Sequence, residues 1–299
     1  MTEIAFDELV EPHRRELLLH CYRLLGSLAD AEDVLQETLL AAWRSLDGFE
    51  GRTTWRSWLY RIATNRCLNA LRDRGRRIPP APNPPFQPPP PSSDGDQPWL
   101  QPYPDDQLPP EARYTRLETI ELAFVAALQR VPPRQAAVLV LCDVLDYRLA
   151  EVAPMLDITP TAVKGLLQRA RTSLAQHRQD GYGRPPAPGS PEEQRLVRRF
   201  AEAFAADDID TLLTLLTDDA WLAMPPAPHE YRGAAAVAAF LRASATWRAG
   251  RRFVLEPIRA NGQPAFECRF MDGPAGQIVL TLAQDRVYGI THFLHNLGG

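Results

Sequence analysis

Fourteen of the chain's 29 prolines fall between Pro79 and Pro110. The segment PPAPNPPFQPPPPSSDGDQPWLQPYPDDQLPP cannot sustain a helix or a central strand, because proline lacks the amide donor and fixes φ. It reads as an extended, semi-rigid linker of polyproline character. It carries Asp94, Asp96, Asp105 and Asp106 and no basic residue. A shorter break, GYGRPPAPGSPEE, covers residues 181–193. The 299 residues therefore divide into ordered parts at 4–78, 111–180 and 191–299, joined by linkers at 79–110 and 181–190.

Composition excludes several classes. Hydrophobic residues make up 45% and charged residues 23%, values of a globular chain. The net charge of -4 argues against a uniformly basic coat, although charge can still segregate along the chain. No apolar run reaches the roughly 18 residues of a membrane span, and the polar, acidic start MTEIAFDELVEPHRREL is not a signal peptide. A soluble cytoplasmic protein is expected. Cys21, Cys67, Cys142 and Cys268 show no CxxC spacing, so they read as reduced buried thiols, with no metal or cofactor expected. Lys164 is the only lysine.

Helical periodicity dominates the stretches before residue 181. Leu17, Leu18, Cys21, Leu24 and Leu25 share a face, and Gly26-Ser27 ends that helix. Asp30, with Asp33 three residues on, can cap the next helix, whose apolar stripe would be Val34, Leu35, Leu39, Ala42 and Trp43. Asp47-Gly48 turns the chain. A third helix is expected over 54–74, with Leu59, Ile62, Ala63, Cys67 and Leu71 on one face. Within 111–180 a helix is expected over 116–130 and another begins at Pro132-Pro133. A short helix covers 149–156, Asp157-Ile158 turns, and Thr159 caps a last helix with Pro160 in its first position. The C-terminal stretch shows helical signals at 192–206, 209–216 and 233–248. Alternating segments follow, with turn signals at Asn261-Gly262 and Asp272-Gly273. Helices followed by an antiparallel sheet make an α+β domain.

Charge is segregated within residues 4–78. Residues 28–38 carry Asp30, Glu32, Asp33 and Glu37 with no base, whereas residues 52–77 carry eight arginines against Asp73 alone. A single charge run is usually a solvated face. An acidic helix beside a basic one instead suggests a protein partner for one face and nucleic acid for the other. The basic helix interleaves Trp55, Trp58 and Tyr60. Arginines neutralise phosphates and exposed rings stack on unpaired bases, although one of Trp55 and Trp58 is expected to serve the core. Asn65 and Asn69 share a helix face and could hydrogen-bond base edges. The segment LAEVAPMLDITPTAVKGLLQRARTSL is a helix-turn-helix pattern, whose second helix enters the major groove.

DAEDVLQETLLAAW followed by TWRSWLYRIATNRCLNALRDR resembles region 2 of the extracytoplasmic-function (ECF) sigma factors of bacterial RNA polymerase. VPPRQAAVLVLCDVLDYRLAEVAPMLDITPTAVKGLLQRARTSL resembles their region 4. The C-terminal stretch, through DDAWLAMPPAPHEYRGAAAVAAFL and its element order, is similar to the SnoaL-like, nuclear-transport-factor-like domain that some of them carry. The resemblance implies two all-α sigma domains and a cone-shaped α+β domain. It implies that Asp30, Glu32, Asp33, Gln36 and Glu37 dock on the β′ clamp helices of core RNA polymerase, whose β subunit is also a partner. Trp55, Trp58, Arg61, Asn65, Arg66, Asn69 and Arg72 would open and read the −10 promoter element. Thr159, Thr161, Lys164, Gln168, Arg169 and Arg171 would read the −35 element as duplex DNA. The proline-rich linker would thread the polymerase near its RNA exit path.

The C-terminal domain also invites an enzyme reading. Asp208, Asp219, His229, Glu267, His292 and His295 could act as acids or bases. Trp221, Met224, Phe240, Trp247, Phe266, Phe270 and Phe293 would wall an apolar pocket for a small ligand. No spacing among them is diagnostic, and regulation of the sigma domains, as the resemblance implies, is the preferred expectation. Two alternatives stay open: a helix-turn-helix regulator with a ligand-sensing domain, and a SnoaL-like cyclase or isomerase fused to a DNA-binding arm.

Overall fold

A computed structural model describes residues 3–46, 49, 51, 53–74, 86–92, 100–109, 117–177, 183–225, 227 and 229–294. The chain forms two units. One contains residues 1–79 and 103–179, the other residues 80–102 and 180–299.

The first unit is helical. Helix α1 (Glu3–Leu25) buries Leu17, Cys21, Tyr22, Leu24 and Leu25. It stops at Gly26, whose φ of 72° is left-handed and whose amide donates to the Tyr22 carbonyl (2.7 Å), a conformation that favours glycine. Helix α2 (Leu28–Arg44) is capped by Ser27, whose Oγ accepts from the Asp30 amide (3.1 Å). Asp30 is therefore not the cap; it lies in the first turn, where its charge favours the helix dipole. The buried stripe of α2 is Ala31, Val34, Leu35, Thr38 and Ala42. Trp43, expected inside, is 39% exposed. Thr38 takes an inward place because its hydroxyl donates to the Val34 carbonyl (2.7 Å). The Asp47-Gly48 turn lies outside the described residues. Helix α3 (Trp55–Arg74) buries Leu59, Tyr60, Ala63, Thr64 and Cys67.

The helix expected over 116–130 is interrupted. A 3-10 turn (Leu117–Thr119) precedes α4 (Leu122–Gln129). Tertiary contacts override propensity here: Arg23 donates to the Thr119 carbonyl and hydroxyl, and Ile120 is fully buried. Helix α5 (Pro133–Leu139) runs into a π-turn (Val140–Val144), and α6 (Leu149–Met155) follows. Asp157 turns the chain at φ 54°. Thr159 Oγ1 accepts from the Ala162 amide (3.2 Å) and so caps α7 (Pro160–His177). The α6–α7 pair is the helix-turn-helix.

The second unit contains α8 (Pro191–Ala206), α9 (Ile209–Leu215), β1 (Leu216–Ala223), β2 (Glu230–Arg232), α10 (Ala234–Arg248), β3 (Val254–Ala260), β4 (Gln263–Phe270), β5 (Gly273–Ala283) and β6 (Arg286–Phe293). The sheet order is β2-β1-β6-β5-β4-β3. It is mixed rather than antiparallel, because β1 runs parallel to β6. Periodicity did not reveal β1 and β2, whose stretches lack the alternating signature. Asn261 and Gly262, at φ 58° and 71°, make the β3–β4 hairpin turn. The core packs Phe200, Phe204, Leu212, Phe240 and Leu241 against Phe266, Ile278, Leu280 and Ile290. Phe86, from the proline-rich segment, packs against this core.

Candidate nucleic-acid interface

Amphipathicity orients α2 so that Glu32, Asp33, Gln36 and Glu37 face outward, while Asp30 is half-buried. Leu40, 55% exposed, extends that face one turn further. An acidic surface bordered by an unpartnered leucine suits a basic protein partner with an apolar centre.

Helix α3 presents Arg61, Asn65, Arg66, Asn69 and Arg72 as exposed residues. Arg66 lies 3.6 Å from Glu37, an exposed pair that water screens. Trp55 and Trp58 are half-buried rather than free. Their rings lie 4.8 Å apart and both abut Phe49 at 5.2 Å. Trp55 also donates from Nε1 to the Leu9 carbonyl (3.2 Å). This aromatic ledge stands at the start of α3 beside the arginine face. Tyr60 is not a stacking ring, because it is fully buried.

Beneath the basic face lies a polar cluster that residue types alone did not reveal. Arg56 forms a bidentate bond to Glu16 (2.8–3.1 Å), and Glu16 also accepts from the Tyr60 hydroxyl (3.2 Å) and contacts His13 (2.5 Å). Burial disfavours the Arg56 charge, but the hydrogen-bonded Glu16 outweighs it and the guanidinium pKa is raised. Arg56 also donates to the Tyr147 hydroxyl (3.3 Å). Asn65 donates to the Met155 carbonyl (3.0 Å). Gln129 donates to the Arg23 and Leu24 carbonyls (3.3 Å each). The α1–α3 helices are thus joined directly to the helices that carry the helix-turn-helix, and a portion of the α3 face is engaged.

Thr159, which caps α7, and Thr161, Lys164, Gln168 and Arg169 on the helix are exposed. Arg171 is exposed as well but is held by Asp143 through two bonds (2.7 and 2.9 Å). Arg74 lies in α3, whereas Arg76 and Arg77 fall outside the described residues.

The expected acids and bases of the C-terminal domain have the following settings. Asp208 caps α9, accepting from the Thr211 amide (3.0 Å) and hydroxyl (2.6 Å). Glu267 accepts from Gln277 (2.8 Å). Asp219 is exposed. The His292 imidazole is enclosed and burial lowers its pKa to about 4. The His229 pKa is also lowered by burial. His295 lies outside the described residues. The expected pocket walls Met224, Phe240 and Phe266 are core residues, Phe253 stacks on Phe270 at 4.6 Å, and Phe86 stacks on Trp247 at 5.8 Å. A surface groove of about 540 Å³ opens elsewhere, at the start of α8, lined by Arg184, Glu192, Arg195, Arg199, Gln284 and Asp285. Among the described residues no group of three His, Cys, Asp or Glu could hold a metal, and no helix is long and apolar enough to cross a membrane.

A helical unit with an acidic face, an arginine- and tryptophan-bearing helix and a helix-turn-helix defines a transcription initiation protein. Residues 9–77 match Sigma-70 region 2, residues 121–174 match Sigma-70 region 4, and residues 197–284 match the SnoaL-like domain. The chain is 44% identical over 304 residues to ECF RNA polymerase sigma factor SigG of Mycobacterium tuberculosis, covering 97% of this chain and 81% of that protein. It is 33% identical over 172 residues to ECF RNA polymerase sigma factor SigM of the same species, covering 58% of this chain and 76% of that protein. The crystal structure of M. tuberculosis extracytoplasmic function sigma factor SigJ superposes with a TM-score of 0.63 at 22% identity, covering 99% of this chain and 97% of that one. The chain belongs to the ECF RNA polymerase sigma factors, and it carries a C-terminal SnoaL-like domain.

Proposed function

We propose that this sigma factor binds core RNA polymerase through the exposed acidic face of α2 and recognises promoters through α3 and α7. Acting with the polymerase, it works in the cytoplasm. The observation that carries the reading is the charge segregation between α2 and α3, because it separates a protein-docking face from a phosphate-binding one. Glu32, Asp33, Gln36 and Glu37 contact the clamp helices, and Asp30 supports the first turn. Arg61, Asn65, Arg66, Asn69 and Arg72 engage the −10 element as melted strand, with the Trp55–Trp58 ledge beside them offsetting the few kcal/mol of unstacking. Thr159, Thr161, Lys164, Gln168 and Arg169 read the −35 element.

The −10 and −35 elements lie about 25 base pairs apart, ~85 Å at 3.4 Å per pair. Helices α3 and α6 are in hydrogen-bond contact. The two sigma domains must therefore separate before both elements can be read, and the bonded arrangement is a closed state.

The C-terminal domain regulates rather than catalyses. This reading is supported by Asp208 and Glu267, which are engaged in local hydrogen bonds, and by His292, whose imidazole is buried.

The double charge reversal Asp33→Arg/Glu37→Arg tests the reading. Pull-down with purified core polymerase should lose the variant at physiological salt while its melting temperature stays within a few degrees of wild type. Undiminished binding of a folded variant would refute the assigned docking face.

A further inference from the structure

We propose that the C-terminal domain is a receptor for an extended, proline-rich peptide led by an aromatic residue, and that residues 86–92 of this chain fill it. The sequence there is Phe-Gln-Pro-Pro-Pro-Pro-Ser.

The receptor has two elements. Phe240 and Trp247 lie seven residues apart on α10, hence on one face of the helix. The Phe86 ring sits 5.6 Å from Phe240 and 5.8 Å from Trp247, nearly parallel to the latter. Tyr231 lies 4.8 Å from Phe240 and closes the aromatic cleft. The second element is strand β2, the edge of the sheet, the position at which an added extended chain can hydrogen-bond to a sheet.

The bonds match what a polyproline run can offer. Prolines 88–91 have no amide donors, so the run can only accept. Tyr231 donates its hydroxyl to the Pro89 carbonyl (2.9 Å). Ser92, the first residue after the run with an amide, donates to the Glu230 carbonyl (2.8 Å), and its Oγ accepts from the Arg232 amide (2.9 Å). One serine thus engages two of the outward-facing groups of the edge strand, the Glu230 carbonyl and the Arg232 amide. The chain shows a three-residue period as it crosses, that of polyproline II: Phe86, Pro88, Pro89 and Pro91 are half-buried, whereas Gln87 and Pro90 are exposed. A polyproline strand is already extended when free, so little order is lost on docking.

The segment is also the covalent link between the two sigma domains. Its capture gives the C-terminal domain a hold on the linker that must extend when they separate. Only that consequence depends on the proposed function; peptide binding does not.

The test uses the full chain and a fluorescein-labelled peptide of residues 84–93. A tethered segment competes at an effective concentration of about millimolar, so wild type should bind the peptide at least ~10-fold more weakly than Phe86→Ala/Ser92→Pro, in which the native segment is disabled. Adding Tyr231→Phe, which keeps the ring and removes one bond, should weaken binding several-fold. A peptide with alanine at the Phe86 position should not bind. Matched thermal melts confirm that the variants fold. Equal affinity for wild type and the released variant, or indifference to either the Tyr231 change or the peptide's phenylalanine, would overturn the proposal.

Discussion

The Asn65 side-chain amide donates to the backbone carbonyl of Met155 at 3.0 Å, bonding a proposed −10-reading residue to the first helix of the helix-turn-helix. A side chain so engaged cannot present the same protons to a base edge. With Arg56 to Tyr147 and Gln129 to the end of α1, it ties α1 and α3 to the second group of helices by direct hydrogen bonds, the arrangement proposed as the closed form.

Weakening that junction shifts the equilibrium. Tyr147 is 9% exposed, and its ring lies 5.9 Å from Tyr60 and 5.7 Å from the Arg56 guanidinium. Tyr147→Ala removes these interactions, and a loss of about 1–2 kcal/mol raises the open fraction roughly 5–30-fold. Energy transfer between dyes on α3 and α7 should fall in the variant; unchanged transfer would mean that Tyr147 does not hold the closed form.

Promoter selectivity and general affinity should separate by residue. Lys164→Ala or Arg169→Ala removes an exposed base-reading candidate and should alter promoter preference by about 1–3 kcal/mol. Replacing Arg74, Arg76 and Arg77 together should weaken all promoters alike and lower the salt slope by about one for each phosphate no longer neutralised. Arg171→Ala should behave differently from both, because its guanidinium is held by Asp143. It should change thermal stability by under about 1 kcal/mol, as exposed ion pairs do, and leave promoter choice intact. Filter-binding titrations across salt and promoter variants distinguish the three patterns.

Acid should destabilise the helical unit through His20. Its imidazole is fully buried, and desolvation, with Arg23 and Arg56 nearby, lowers its pKa from 6.5 to about 3. Between those values the unfolded chain binds a proton that the folded one refuses. This histidine's share of stability is therefore present above pH 6.5 and lost as pH falls toward 3, at up to ~1.4 kcal/mol per pH unit. His20→Gln, which retains a partner for Thr64, should flatten the pH dependence of urea midpoints over that window. An unaltered slope would assign the acid sensitivity to other groups.

Gly289 sits opposite Trp221 in the parallel β1–β6 pairing, and a Cβ there would meet the indole at 2.4 Å. Gly289→Ala must displace that ring, destabilising the C-terminal domain by about 1–3 kcal/mol. Thermal unfolding with tryptophan fluorescence reads both the loss and the altered Trp221 environment.

The elements legible in the sequence are those whose signals are local. The Thr159–Pro160 helix start, the acidic α2 and the arginine-rich α3 follow from capping, periodicity and charge. What escaped depends on tertiary partners. Ser27 rather than Asp30 caps α2 because Gly26 fixes where α1 ends. Thr38 takes an inward place because its hydroxyl is satisfied within the helix, and Trp43, at the edge of the buried stripe, packs edge-on against Phe6 while staying 39% exposed. The 116–130 stretch breaks because Arg23, almost a hundred residues earlier, bonds Thr119. Among the proposed site residues, the exposure of Lys164, Gln168 and Arg169 was legible from the helix period; the engagement of Asn65 and Arg171 was not, since Met155 and Asp143 are distant in sequence. Proline composition suggested an extended segment over 79–110; it did not reveal that Phe86 and Ser92 would seat residues 86–92 on α10 and β2, nor that Asp105–Gln107 would form a 3-10 turn between the buried Tyr103 and Leu108.

As a sigma factor, this chain directs core polymerase to promoters. The most direct measurement is transcription by purified core polymerase on sheared genomic DNA, with and without the full chain, followed by sequencing of transcript 5′ ends. New start sites should appear only with the chain, share one pair of upstream elements at constant spacing, and vanish with Asp33→Arg/Glu37→Arg. Start sites identical to those of core polymerase alone, from a folded and active preparation, would contradict that role.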